Sequence, residues 1–288
     1  MSLLKEQELI NILPKDGPSV EGVKKYLEKY IDEFIVIKCG GSVLVDPKLF
    51  EIFIKDVVVL SKLGFNPIIV HGGGKRINNK LNELNITSNF IKGLRVTDKN
   101  IIKIVEDVLI DFNKEIVAAL KKQCCESRRI TSKEYNVITV KPESDELGFV
   151  GTPTHIETNI LKEIVKVNEV PVIAPLGLNE NNQTFNINAD TVAGAIAKEL
   201  KARRLMIISD VAGVLDDKKK LIPEINSQKA KELIDQEVIS GGMIPKINNC
   251  LDVASNGVKG VVIIDGRKNH SLLFVLLSDK GSGTLIRE

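Results

Sequence analysis

Apolar residues in this chain recur in two rhythms, and the rhythms alternate. Residues 34–37, Phe-Ile-Val-Ile, are continuous and rich in β-branching, as in a short buried strand. Residues 47–63 follow with Phe50, Ile54, Val57 and Leu60 at helical spacing, opened by Pro47 and stopped by Gly64. Residues 67–70 predict a second strand. Strand, helix, strand at this spacing is a βαβ unit, hence a parallel sheet with a right-handed crossover. Upstream, Val23, Tyr26, Leu27, Tyr30 and Ile31 predict a helix over 21–32, while residues 1–17 show no strong period. That helix either packs on its own chain or exchanges with a neighbour as an arm.

Further along, Ile77, Leu81 and Leu84 mark a helix, and residues 90–96 suggest a small hairpin. Asp98 suits the N-cap of a long helix over 99–122. The pattern then weakens. Arg128, Arg129 and Lys133 read as an exposed loop, 136–140 as a strand, and 147–151 as a turn or hairpin. A helix over 158–167 leads to a strand at 171–174. Pro175-Leu176-Gly177 reads as a hinge, with an irregular polar stretch over 179–183 behind it. A helix over 191–200, a strand over 204–208, a helix over 227–236, a helix entered at Pro245 and a strand over 261–264 complete the pattern. The predicted divisions are an N-terminal segment and helix (1–32), a first lobe (33–176) and a second lobe (177–288).

Composition narrows the options. The 288 residues carry a formal net charge of +2, which gives no electrostatic case for nucleic acid or an anionic membrane. The run Lys218-Lys219-Lys220 reads as a solvated turn. Cys39, Cys124, Cys125 and Cys250 form no C-x-x-C pair, as expected of free, mostly buried thiols in a reducing cytoplasm. The three histidines lack metal-ligand spacing, so no metal site is expected from them. Lys5, Glu6 and Glu8 interrupt any signal-peptide apolar region, and no apolar run is long enough to span a membrane.

The candidate chemistry lies where strands end. Lys38 closes the first strand and Gly40 and Gly41 follow, so a cation and bare backbone meet where α/β sheets bind ligands. By itself this also fits a lysine flanking a plain turn. His71-Gly72-Gly73-Gly74-Lys75 sits between the second strand and a helix, a backbone anion site. It is neither common phosphate fingerprint: a Walker loop needs glycine at Ile69, and the dinucleotide pattern needs glycine at Ile77. Arg95 is either a carboxylate ligand or a surface arginine on the hairpin. Asn186, Asn188 and Asp190 converge on a helix start, where capping is the plainer role. Ser209 and Asp210 end a strand. Lys246 stands in the first turn of a helix behind Gly241 and Gly242, against the helix dipole, so a bound anion would relieve it.

Together the segments IKCGGS (37–42), HGGG (71–74), GLRVTD (93–98), LGFVG (147–151), NINADTVAGAIA (186–197), SDVAGVLD (209–216), GGMIPK (241–246) and IDGRKNH (264–270) resemble the amino-acid kinase family. GLRVTD, NINAD and GGMIPK resemble its branch acting on N-acylated glutamate. The resemblance implies a three-layer αβα sandwich with a mainly parallel central sheet and two lobes, the first for the amino acid and the second for ATP. It implies transfer of the γ-phosphoryl of MgATP to the side-chain carboxylate of N-acetyl-L-glutamate, an arginine-biosynthetic step, with Mg2+ held mainly by the nucleotide phosphates. Lys38 and Lys246 would flank the phosphoryl group and Asp190 would hold both. Gly73, Gly74, Arg95 and Asn186 would bind substrate. Gly40, Gly41, Ser209 and Asp210 would serve the nucleotide phosphates, and Asp210 would help organise Lys246. Another acceptor on the same fold, or a silent amino-acid-binding regulator, shares much of this pattern.

The chain departs from the family at Lys75, where proline is usual, which bears on loop rigidity more than on chemistry. It also lacks the expected glycine-rich turn within 124–133. A homodimer is implied, or a hexamer of dimers linked by the N-terminal helix. Arginine-inhibited members carry a glutamate where this chain has Val275.

Overall fold

A computed structural model describes residues 5–279 and 281–288; residues 1–4 of the expected N-terminal segment lie outside them. Helices α1 (Glu6–Ile12) and α2 (Val20–Tyr30) come first. α1 has no counterpart in the sequence pattern because it buries only Leu9. α2 turns Val23, Leu27 and Tyr30 onto its own chain, into the same core layer as Leu273 and Leu277.

β1 (Phe34–Cys39), α3 (Pro47–Lys62) and β2 (Asn66–His71) form the expected parallel unit, and Gly64 ends the helix at φ 82°. α4 (Gly74–Glu83), the hairpin β3 (Phe90–Ile91) and β4 (Leu94–Arg95), and α5 (Lys99–Lys122) follow, the last capped by Asp98. Then the structure departs from the pattern. Arg128 and Arg129 lie in β5 (Ser127–Ile130), an edge strand, and only Lys133 is exposed. Ion pairs to Glu169 and Glu134 neutralise the two arginines, which is why charge masked the strand.

β6 (Ile138–Pro142) pairs antiparallel with β7 (Gly151–Ile156), and α6 (Thr158–Lys166) returns the chain to β8 (Val170–Ile173). Where a hinge was expected, β9 (Leu176–Leu178) pairs with β10 (Thr184–Asn186), and the irregular polar stretch over 179–183 is the loop of that hairpin. These strands build a second sheet in the order β10-β9-β6-β7, and a boundary at residue 177 would run through it. α7 (Ala189–Glu199), β11 (Arg204–Ser209), β12 (Glu224–Ile225), α8 (Ser227–Asp235), α9 (Met243–Ser255), β13 (Val261–Asp265), α10 (Ser271–Leu277) and β14 (Gly283–Ile286) complete the chain. α10 escaped the pattern because it is apolar nearly all round, so it has no period.

The main sheet runs β12-β14-β13-β11-β1-β2-β8-β5, and only β13 and β14 pair antiparallel within it. Alternation along its strands sorts two core layers. Val36, Ile68, Val70, Leu205 and Ile207 face α6 to α9. Ile35, Ile37, Ile69, Met206 and Ile208 face α2, α3, α5 and α10. The result is the expected three-layer αβα sandwich. β11, β1 and β2 are adjacent, so the loops after them open on one crevice at the sheet's carboxyl edge. Among the described residues no helix is long and apolar enough to cross a membrane.

Candidate active site

Lys38 shares a strand face with Val36, the face covered by α7. Asp190 is the second residue of α7, whose cap Asn188 accepts from Asp190 N at 2.8 Å and Thr191 N at 3.2 Å. Lys246 is in the first turn of α9. The two helices lie close together: a Cβ on Gly194 would stand 2.9 Å from Val253 Cγ2. This packing brings three distant residues to one point. Lys38 Nζ is 3.0 Å from Asp190 Oδ1, and Lys246 Nζ donates to Asp190 Oδ2 at 2.7 Å.

All three side chains are largely buried, between 13% and 19% exposed. Burial pulls the pKa of Asp190 upward, but Lys38 and Lys246 outweigh it and hold the value down at about 2. An ammonium has three donors, so Lys246 keeps two after bonding to Asp190, and Lys38 is held to the other oxygen as an ion pair. A cleft of about 300 Å3 adjoins this cluster, lined by Lys38, Gly40, Gly41, the three glycines 72–74, Arg95 and Asn186. Lys246 lines a second hollow, which meets the first at Asn188 and Asp190.

The glycines are there for space. A Cβ on Gly40 would come 2.6 Å from Lys38 Nζ. Gly41 has φ 67° and lies against the Asp210 carboxylate. A Cβ on Gly73 would strike Leu109 of α5, whereas a Cβ on Gly74 would meet nothing within 4 Å, and Gly74 lines the cleft. The first amides of α4 have no intrahelical acceptor, so the loop end is an electropositive rim.

His71 sets that loop from below. It is fully buried, edge-on to Phe112, and burial pushes its pKa down to about 4. Asn113 Nδ2 donates both to the Val172 carbonyl, at 2.9 Å, and to His71 Nε2, at 3.1 Å. His71 Nε2 is therefore the acceptor, and Nδ1–H donates to the Gly72 carbonyl at 3.0 Å.

Arg95 is not a surface arginine. It is buried, with its guanidinium over the Phe90 ring at 4.7 Å, and it donates to Asn78 Oδ1 at 2.6 Å and to Ser88. Asn186 Nδ2 reaches Thr97 Oγ1 at 3.5 Å. Backbone bonds join the three segments around it: Phe149 N to Thr97 O at 2.7 Å and Asn186 N to Phe149 O at 2.9 Å.

Ser209 is half-buried, and its carbonyl accepts from Gly266 N. Asp210 does not touch Lys246, the role the resemblance implied; Asp190 has that place. Asp210 instead accepts from Ser42 N at 2.6 Å and pairs with Lys75 Nζ at 3.2 Å. Lys75, His71, Asn113 and Thr97 were not assigned roles from sequence. For Lys75 the signal was present: it is a lysine in a first helical turn behind glycine, as Lys246 is.

The sequence profile of the amino acid kinase family matches residues 33–265, four-fifths of the chain. The chain belongs to the amino acid kinase family. Lys38, Asp190, Asp210 and Lys246 all lie inside the family span, while α1, α2, α10 and β14 lie outside it. The acetylglutamate kinase of Pelagibacter ubique is 80% identical over 288 residues, covering 100% of both chains. That of Campylobacter fetus is 44% identical over 91% of this chain and 94% of its own. Among solved structures, Neisseria gonorrhoeae N-acetylglutamate synthase, complexed with coenzyme A and N-acetyl-glutamate, superposes with a TM-score of 0.84 at 21% identity. The match covers 93% of this chain but 62% of that longer one, and it speaks to fold alone.

Proposed function

We propose that the chain catalyses ATP-dependent phosphorylation of the side-chain carboxylate of N-acetyl-L-glutamate, the reaction of its acetylglutamate kinase relatives in arginine biosynthesis. A carboxylate oxygen bonds to the γ-phosphorus, the bond from that phosphorus to the β–γ bridging oxygen breaks, and ADP leaves. The products are N-acetyl-L-glutamyl 5-phosphate and ADP. The acceptor is already an anion, so no general base is needed. What is needed is positioning and neutralisation of charge.

The observation that carries this reading is Asp190 holding Lys38 and Lys246 on its two oxygens at 3.0 and 2.7 Å. The remaining ammonium donors flank the moving phosphoryl group. Gly41, Gly73 and Gly74 offer backbone amides, Arg95 takes a substrate carboxylate, and Asn186 takes the other polar end. Gly40, Ser209 and Asp210 serve the nucleotide phosphates. Asp190 is already paired with two lysines, so its carboxylate is not free for a metal. This fits a Mg2+ held by the nucleotide phosphates, where it neutralises their charge.

We further propose a homo-oligomer, a dimer or a hexamer joined through the N-terminal helices. The stripe of α2 is covered, so the exposed Ile10 of α1 is the apolar surface such a join would use. The free thiols, three of four buried, support a cytoplasmic setting.

ADP release with N-acetyl-L-glutamate and MgATP tests the reaction. Robust turnover is expected, with far weaker rates on aspartate, glutamate or carbamate. Binding of N-acetyl-L-glutamate without ADP release would overturn it in favour of a silent binding protein.

A further inference from the structure

The roles above leave Lys75 without a task, yet its side chain lines the cleft together with Lys38, Gly40 and Gly41. Its ammonium lies 3.2 Å from Asp210 Oδ2 and 3.3 Å from Ser42 Oγ. Three elements meet there: the turn after β1, the first turn of α4 and the end of β11. Asp210 packs against the Cα of Gly41, so Lys75 is only two contacts from the glycine turn.

Three features make this contact exchangeable. Lys75 and Asp210 are 50% and 38% exposed, and ion pairs that wet are weak and screened. Asp210 keeps a second partner, Ser42 N at 2.6 Å, so it stays satisfied without the lysine. Lys75 stands at the positive end of its own helix, where a cation gains from the nearest available anion. A polyphosphate brings more negative charge than one half-exposed carboxylate.

We propose that Lys75 is a nucleotide-phosphate ligand, exchanging Asp210 for an oxygen of the ATP polyphosphate. The cleft then holds three lysines along the phosphoryl path, two fixed by Asp190 and one mobile. No bond is made or broken in the exchange, and Ser42 keeps Asp210 in place. This inference rests on the phosphoryl-transfer reading above and names a further residue within it.

The test compares Lys75→Met and Lys75→Arg with the parent enzyme. Two readouts are used: calorimetric titration of MgADP, and steady-state KM values for both substrates. In Lys75→Met the Kd for MgADP and the KM for ATP are expected to rise roughly tenfold, as for loss of one charge-assisted hydrogen bond. The KM for N-acetyl-L-glutamate should stay within about twofold and Lys75→Arg should restore most of the affinity, because only the charge is at issue. An unchanged Kd for MgADP in Lys75→Met overturns the proposal. So does an equal weakening of both substrates, which marks a merely structural residue. A parent enzyme that binds MgADP but phosphorylates nothing overturns the reaction assignment instead, and the titration still reports on Lys75.

Discussion

Asp190 and Asp210 are built from the same parts but stand in different solvents. Each lies beside the end of a central strand, each accepts a lysine from another element, and each has its pKa lowered by its partners. Asp190 and its two lysines are largely shielded from water, whereas Lys75 and Asp210 are about half exposed. Shielding makes the first cluster a fixed frame: breaking one contact strands a charge in a poor dielectric. Exposure makes the second a loose one, since water replaces whatever is lost. Burial, more than charge pairing, decides which lysine holds position and which can follow a ligand.

Loss of the buried frame should have the greatest consequence. Lys246→Ala is expected to lower kcat on the order of 100-fold or more, as for loss of one preorganised transition-state donor. Steady-state rates showing less than a tenfold loss would remove Lys246 from the frame. Gly40→Ala is expected to come next, with kcat falling about tenfold. Its new methyl would stand 2.6 Å from Lys38 Nζ, and a flexible lysine head moves aside. Folding should hardly change, so a large drop in Tm with normal kcat would refute the reasoning.

The smallest effect is a pH dependence that ranks the two acids. Asp190 has a folded pKa of about 2 against an ordinary 3.8, so the folded state releases its proton more readily. Its stabilisation is therefore complete above about pH 4 and lost as pH falls toward 2, roughly 2 kcal/mol in all. Asp190→Asn should forfeit that term, measured by denaturant unfolding of both proteins across this range. Asp210→Asn should shift stability in the same sense but less, because water screens the site. An Asp210 effect as large as that of Asp190 would end the distinction.

Much of the frame was legible in the sequence. Lys38 could be placed because four apolar residues announce its strand, and Lys246 because proline and glycine announce its helix. What the sequence withholds is contact across the chain. The resemblance linked Asp210 to Lys246, and its strand-end position could not show that Lys75 is its partner, because position says nothing about which loop folds back onto it. The tautomer of His71 depends on Asn113 and the Val172 carbonyl, all distant in sequence. β5 was hidden because its arginines are neutralised by acids elsewhere, and β9 and β10 because three-residue strands carry no period.

Gly194 lies one helical turn past Asp190, and Val253 two turns past Lys246. The distance between Asp190 and Lys246, one on each helix, is thus dialled by how near a pair of rods can roll together, at a spot away from the ion pair itself. A single methyl added there would act like a shim under a vice jaw. Drift in such remote wedges gives evolution a fine adjustment on reactivity while every residue at the chemistry stays the same.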